Sequence, residues 1–208
     1  MALQDNALVT LAEAKVGLKL TGATSDAAVE TLINAVSDRI EGLTGRRLKT
    51  RTYANLRLDG PGRHLLTEVD WPITAISACV LDETTQTVWF PGDAGEPDDK
   101  DVYVVDGRDP KTTRWALYRW SRWSLGVANI KLSYTAGYGA ATPAGSPPIP
   151  EDLKAAAIML FRHWWYLQDR QAQGVQSRSI GAESVTYLTA PVPSEAKPIL
   201  TAYTRWVS

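Results

Sequence analysis

Apolar residues recur at every third or fourth position near both ends of the chain and at every second position through its middle. The first rhythm predicts helices and the second predicts strands with one buried face. Thr10-Leu11-Ala12-Glu13 has the spacing of a capping box, in which a hydroxyl and a carboxylate satisfy the first free amides of a helix. Leu11, Ala14, Val16, Leu18 and Leu20 are the apolar residues of that short helix, which ends before Gly22. Ser25 or Asp26 caps a second helix, where Val29, Leu32, Ile33, Val36, Ile40 and Leu43 form one stripe and Gly45 gives the stop. Together they predict a helical hairpin over residues 1–49.

From Thr50 the period becomes two. Tyr53–Leu58 reads as a strand entering the turn Asp59-Gly60-Pro61-Gly62, with His64-Leu65-Leu66 as the return strand of a hairpin. Trp71-Pro72 breaks the chain, and Ile73–Val80 reads as another strand, with shorter ones at Thr87–Phe90 and Val102–Val105. Trp115–Trp123 reads as strand and turn. In Asn129–Tyr138, Ile130, Leu132 and Tyr134 alternate with Lys131, Ser133 and Thr135, which predicts a half-buried strand ending at Gly137. The Pro-rich stretch from Gly139 to Pro150 supports neither helix nor sheet. Acidic Glu151 and Asp152 then open a long helix to about Gln171, with Leu153, Ala156, Ala157, Leu160, Phe161, Trp164 and Leu167 on one stripe. Ser177 to Gly181 reads as mobile, Val185 and Tyr187 as a short strand, and Ser194 as the cap of a last helix holding Ile199, Leu200 and Tyr203. The expectation is one composite α+β domain over 1–208. It comprises a helical bundle, built from the N-terminal hairpin, the long helix and the last helix (1–49 and 150–208), and a β-rich sub-domain over 50–138.

Composition narrows the possibilities. The 208 residues are 44% hydrophobic and 22% charged, which is the balance of a globular chain, and the formal charge of −1 gives no basic field for general nucleic-acid binding. Eight Trp and eight Tyr against two Phe favour rings that carry a polar handle, as contact surfaces use. The single Cys79 allows no internal disulfide, fits a reducing compartment and reads as a small apolar strand residue. No secretory leader and no run of membrane-spanning length is visible.

Candidate chemistry is sparse. The acidic segment Glu96-Pro97-Asp98-Asp99-Lys100-Asp101 lacks the ligand order of a calcium loop and reads as a solvated tip. His64 and His163 have no second ligand at zinc spacing and read as structural. There is no nucleophile elbow, phosphate cradle or dinucleotide fingerprint, so no catalytic residue, metal site or cofactor is assigned. Arg114-Trp115, Arg119-Trp120 and Arg122-Trp123 interleave cations with rings, and read as core Trp with Arg along the faces. Arg46, Arg47, Lys49 and Arg51 follow a helix C-terminus, where the dipole favours positive charge.

Five pieces taken in order resemble the head–tail connector, or adaptor and head-completion, family of tailed bacteriophages. They are Leu8–Lys15, Ile40–Arg46, Trp71-Pro72-Ile73, Ser133–Tyr138 and Ile149–Lys154. The resemblance implies a structural virion protein at the head–tail interface, present in the host cytoplasm during assembly, with no enzymatic activity and no membrane association. It also implies a ring, commonly twelvefold, that binds the portal protein on one side and a tail-side connector or tail-completion protein on the other. DNA passes through such a ring without sequence-specific binding. The portal-binding part would be the C-terminal residues Tyr203, Arg205 and Trp206, and Arg170 and Arg178 would lie in a loop at subunit contacts or the lumen. The long β-rich middle departs from the shortest, almost wholly helical members. A β-rich protein-binding module of tail or non-viral origin and a carboxylate-dependent hydrolase are the alternative functions.

Overall fold

The structure is a computed structural model that describes residues 2–91, 93–94, 100–105, 115–139, 146–169, 177–180, 183–186 and 191–205; for 168–169, 177–180 and 183–186 it describes the backbone. The fold is mixed α+β, and the chain divides into two compact units, Met1–Gly45 with Pro150–Thr204 and Arg46–Ile149 with Arg205–Ser208.

The first unit contains α1 (Leu11–Leu18), α2 (Asp26–Thr44), α3 (Glu151–Asp169) and α4 (Ala196–Ala202). The capping box forms as the sequence predicts: Glu13 N–H donates to Thr10 Oγ1 at 3.2 Å, and Thr10 N–H donates to Glu13 Oε2 at 2.7 Å. Gly45, at φ 68°, ends α2 in the left-handed region. The predicted stripes supply the core, with Val29, Leu32, Ile33, Val36 and Ile40 of α2 and Leu153, Ala156, Ala157, Leu160 and Phe161 of α3 buried. Two stripe residues face outward instead, Leu43 at 37% exposure and Val16 at 78%. Ser25 stands before α2 without a capping hydrogen bond, and the residue before α4 is Glu195, not Ser194. Where a mobile segment was expected, Ser177–Ile180 (β9) pairs antiparallel with Glu183–Thr186 (β10).

Among the described residues the second unit holds two four-stranded sheets. One runs β1 (Arg51–Gly60), β8 (Gly126–Ala136), β3 (Ile73–Leu81), β4 (Thr84–Thr85); the other runs β2 (Leu65–Leu66), β7 (Ala116–Arg119), β6 (Val102–Val105), β5 (Val88–Trp89). The predicted hairpin between Tyr53–Leu58 and His64–Leu66 does not form. β1 pairs with β8, and β2 pairs with β7 in the other sheet. The turn signal was real, but a turn fixes only a change of direction, and the partner strand is chosen by which apolar faces meet. β8, long and central, brings Ile130, Leu132 and Tyr134 into a core with Ile73, Cys79 and Leu81 of β3 and Val102, Val104 and Leu117 of the second sheet. Cys79 is 1% exposed, and burial pushes its thiol up to about 12, so it is the inert apolar residue the sequence suggested. Trp115–Trp123 forms strand β7 and a turn, with Trp123 buried at 1%. Among the described residues no helix is long and apolar enough to cross a membrane.

Candidate functional site

Two of the five sequence pieces that carry the resemblance, with Arg46 at the end of a third, meet in the β-rich unit. Gly137 N–H donates to Pro72 O at 2.9 Å, Tyr138 N–H to Leu48 O at 2.7 Å, and Thr50 N–H to Tyr138 O at 3.0 Å. The end of β8 is thereby tied both to the Trp71-Pro72 break and to the segment that follows Arg46. Gly137 is required at this crossing. Its φ is +117°, and a Cβ would lie 2.5 Å from the backbone of Lys49.

Beside this crossing lies a buried polar cluster centred on Asp70, which is 6% exposed. Tyr53 of β1 and Tyr134 of β8 are register partners, and their rings stack at 4.8 Å and 17°. Tyr53 donates its hydroxyl to Asp70 Oδ2 at 2.5 Å, while Asp70 N–H donates to the Tyr134 hydroxyl at 3.0 Å. Arg205 donates through a terminal guanidinium nitrogen to Asp70 Oδ1. Burial, and then the neighbouring carboxylate, push the Tyr53 phenol well above its ordinary value; burial does the same for Tyr134. Both stay protonated, so Tyr53 remains a donor to Asp70. With each carboxylate oxygen already accepting from within the chain, the cluster fixes geometry rather than offering a base.

Arg46 is 4% exposed, with its guanidinium 3.5 Å from the centroid of the Trp71 ring, and it donates to Trp71 O. A partner ring 25 positions away therefore accounts for this arginine, where the sequence suggested only a helix dipole. Two of the resemblance pieces meet instead in the helical unit. There Lys154 Nζ lies 3.4 Å from Glu13 Oε1, and Tyr203 donates its hydroxyl to Asp152 Oδ1 at 2.5 Å.

The residues expected to bind the portal separate accordingly. Tyr203 is wholly buried in the helical unit, Arg205 is held by Asp70 in the β-rich unit, and Trp206 lies outside the described residues. Arg170 also lies outside the described residues, and Arg178 occupies β9 opposite Val185. Glu96, Asp98, Asp99 and Arg114 lie outside them too, whereas Asp101 accepts from the Thr87 amide and hydroxyl, each at 2.8 Å. Among the described residues no group of three or more His, Cys, Asp and Glu is placed to hold a metal ion. His64 stacks on Tyr118 at 5.4 Å, its Nδ1 2.9 Å from Arg119 O, and Tyr118 is followed by Tyr103 at 4.8 Å and Trp120 at 5.2 Å. Trp120 is 51% exposed, so this row of rings reaches solvent. Sequence reasoning passed over Asp70 and Tyr53, for which no local pattern exists. Their one visible signal was adjacency to Trp71-Pro72 for Asp70 and a place in the alternation for Tyr53.

Comparison with known proteins bears out the resemblance to phage head–tail connectors. Residues 117–206 match the family described as head completion protein. The head completion protein of Escherichia phage T5 is 36% identical over 106 residues, which make up 49% of this chain and 56% of that protein. The chain thus spans little more than half the length of this relative. Among solved structures, a chain from the neck of an empty gene transfer agent particle, computed with C6 symmetry, covers all of this chain and 94% of its own. It is 19% identical, with a TM-score of 0.55. A chain from the neck of the native particle, computed with C12 symmetry, is 16% identical at the same coverage, with a TM-score of 0.53. These likenesses show a shared fold. The family match contains Tyr134, Tyr138, Asp152, Tyr203 and Arg205 but neither Asp70 nor Arg46.

Proposed function

From this kinship with the head-completion and head–tail connector proteins of tailed phages, we propose that the chain is a structural component of the virion neck that assembles as a ring between portal and tail. DNA passes through the ring without sequence-specific binding, and the chain performs no catalysis. The observation that carries this reading is the head-completion match over 117–206, which takes in the long helix and the C-terminal segment. The neck particles that share the fold were computed with six- and twelvefold symmetry, which supports a ring, commonly of twelve. A ring needs two different complementary surfaces on each subunit. The exposed Trp120, Leu125 and Val127 offer apolar contact area for one of them. The near-neutral charge is compatible with a lumen that does not retain DNA by counterion release.

In this reading the four helices form a bundle, and the two units form one composite domain. The portal binds the C-terminal segment, and a tail-side connector or tail-completion protein binds the opposite surface. Arg205 and Trp206 make the portal contact while Tyr203 positions them from inside the helical unit, and Arg170 and the β9 residue Arg178 lie at the subunit contact or the lumen. The protein is made in the host cytoplasm and ends at the head–tail interface. Native mass spectrometry with and without the purified portal of the same particle tests the proposal. Ring-sized complexes are expected with portal, and a chain that stays monomeric and never binds it sinks the reading.

A further inference from the structure

Two guanidinium groups lie around the Asp70–Trp71 segment and are held in different ways. Arg46 is 4% exposed, lies over the Trp71 ring and donates to the Trp71 carbonyl, so it is part of the unit's interior. Arg205 reaches the Asp70 carboxylate from the residues that follow α4 and keeps 31% of its side chain accessible, while only 8% of the Asp70 side chain is. Its Nε is buried with no acceptor among the described groups. Arg46 senses both partners: burial lowers its proton affinity most, Tyr138 and then Asp70 oppose this, and Arg205 adds to the lowering. Arg205 is thus held by the Asp70 carboxylate and Arg46 by the ring and carbonyl of Trp71.

Breaking a buried ion pair is costly chiefly because it leaves one charge buried and alone. That penalty is reduced here on both sides. When Arg205 leaves, Asp70 keeps the Tyr53 hydroxyl and the nearby positive charge of Arg46. Arg205 itself moves from a half-wet position into water.

We propose that the Arg205–Asp70 pair is a releasable latch, which holds Arg205 beside the Trp71 loop in the free subunit and frees it for the partner that engages the C-terminal segment. The identity of that partner as the portal rests on the reading above; the latch itself does not. Amide hydrogen exchange on the full chain tests the latch. Arg205→Met and Asp70→Asn each speed exchange at residues 204 and 205 on the order of tenfold, as loss of a charge-assisted hydrogen bond implies. Tyr53→Phe, which spares the pair, leaves exchange there unchanged. Unchanged exchange in the first two variants overturns the proposal. So does acceleration spread across β1, β3 and β8 in Arg205→Met, which keeps Asp70 and its Tyr53 bond, because that would make the pair a brace of the whole unit. Titration against the purified portal gives the second arm. Asp70→Asn, which opens the latch and keeps Arg205, binds portal up to about tenfold more tightly if the latch competes with binding, and more weakly if the pair is a brace. A wild-type chain with no affinity for portal sinks the portal reading alone, because exchange at 204 and 205 still decides the latch.

Discussion

In the helical unit Tyr203 donates to Asp152, and in the β-rich unit Tyr53 donates to Asp70, each at 2.5 Å. The bonds match, but their settings differ. Asp152 sits in the first turn of α3, half-buried, and its Oδ1 also accepts from the Leu153 amide at 2.9 Å. A helix N-terminus favours a carboxylate whatever else is present, so this anion is stabilised locally. Asp70 has no helix. It stands in the segment between β2 and β3, and Tyr53, Tyr134 and Arg205 all reach it from distant parts of the sequence. A helical unit can carry a buried anion on local structure, whereas a sheet unit assembles its counter-charges from far away. The β-rich unit is accordingly the more exposed to single substitutions at its polar centre.

The largest effects come from the two cores, and they test whether the units respond separately. Phe161→Ala in α3 and Trp123→Ala after β7 each remove a fully buried ring and cost about 3–5 kcal/mol. Trp123 also loses the bond from its Nε1 to His64 O at 3.1 Å. Chemical denaturation gives the loss, and amide exchange locates it. Loss of protection confined to the unit that carries the substitution supports the contrast; equal loss in both erases it.

The same contrast explains what the sequence disclosed. The helices were legible because their signals are local: the Thr10/Glu13 capping box lies within four residues, and the α2 and α3 stripes repeat every three or four. The strands were legible as segments, since the alternation through Ile130, Leu132 and Tyr134 marks a buried face. Their pairing was not, because Tyr53 meets Tyr134 across some eighty residues and nothing near Asp59–Gly62 names that partner. The site followed the same rule. Arg205, Tyr134 and Tyr138 lay in segments that drew attention, but Asp70 is a lone carboxylate with no spacing to betray it. The burial of Arg46 depends on a ring that only the fold brings near.

Next in size are the two carboxylates. Asp70→Ala is expected to cost about 3 kcal/mol, since it strands the Tyr53 hydroxyl and takes from Arg205 its counter-charge. Asp152→Ala is expected to cost about 1.5 kcal/mol, the worth of a hydrogen bond to a charged group. Urea midpoints for the two variants measure the gap. Equal losses mean that the helix N-terminus gives Asp152 no local advantage.

A smaller effect separates local from distant wiring inside the helical unit. Thr10→Ala removes the hydroxyl that accepts from Glu13 N–H, and a lost N-cap is worth about 1 kcal/mol. Because the cap is a local device, its loss should melt out protection at the start of α1 and leave α3 and α4 as they are, which residue-resolved exchange can follow. Spread of the loss into α3 would show that the Glu13–Lys154 pair, and not the cap, anchors that end of the unit.

The smallest effect is a pH dependence with a defined sign. Burial alone would raise the Glu13 carboxyl, but the hydrogen bonds from the Thr10 amide and hydroxyl and the proximity of Lys154 overcome it, so its value falls below the ordinary 4.5. A carboxyl whose folded-state value is depressed binds its proton more readily when unfolded. Its contribution is therefore fully present above about pH 4.5 and is lost as pH falls through the lower folded-state value. The Glu13 side chain is 38% exposed, so solvent and salt screen the contribution and keep it small. Thermal melts of wild type and Glu13→Gln should differ at neutral pH and converge on acidification. A difference that persists undiminished at pH 3 would assign the effect to the neutral hydrogen bonds of the capping box instead of its charge, and would leave the cap to be judged on geometry alone.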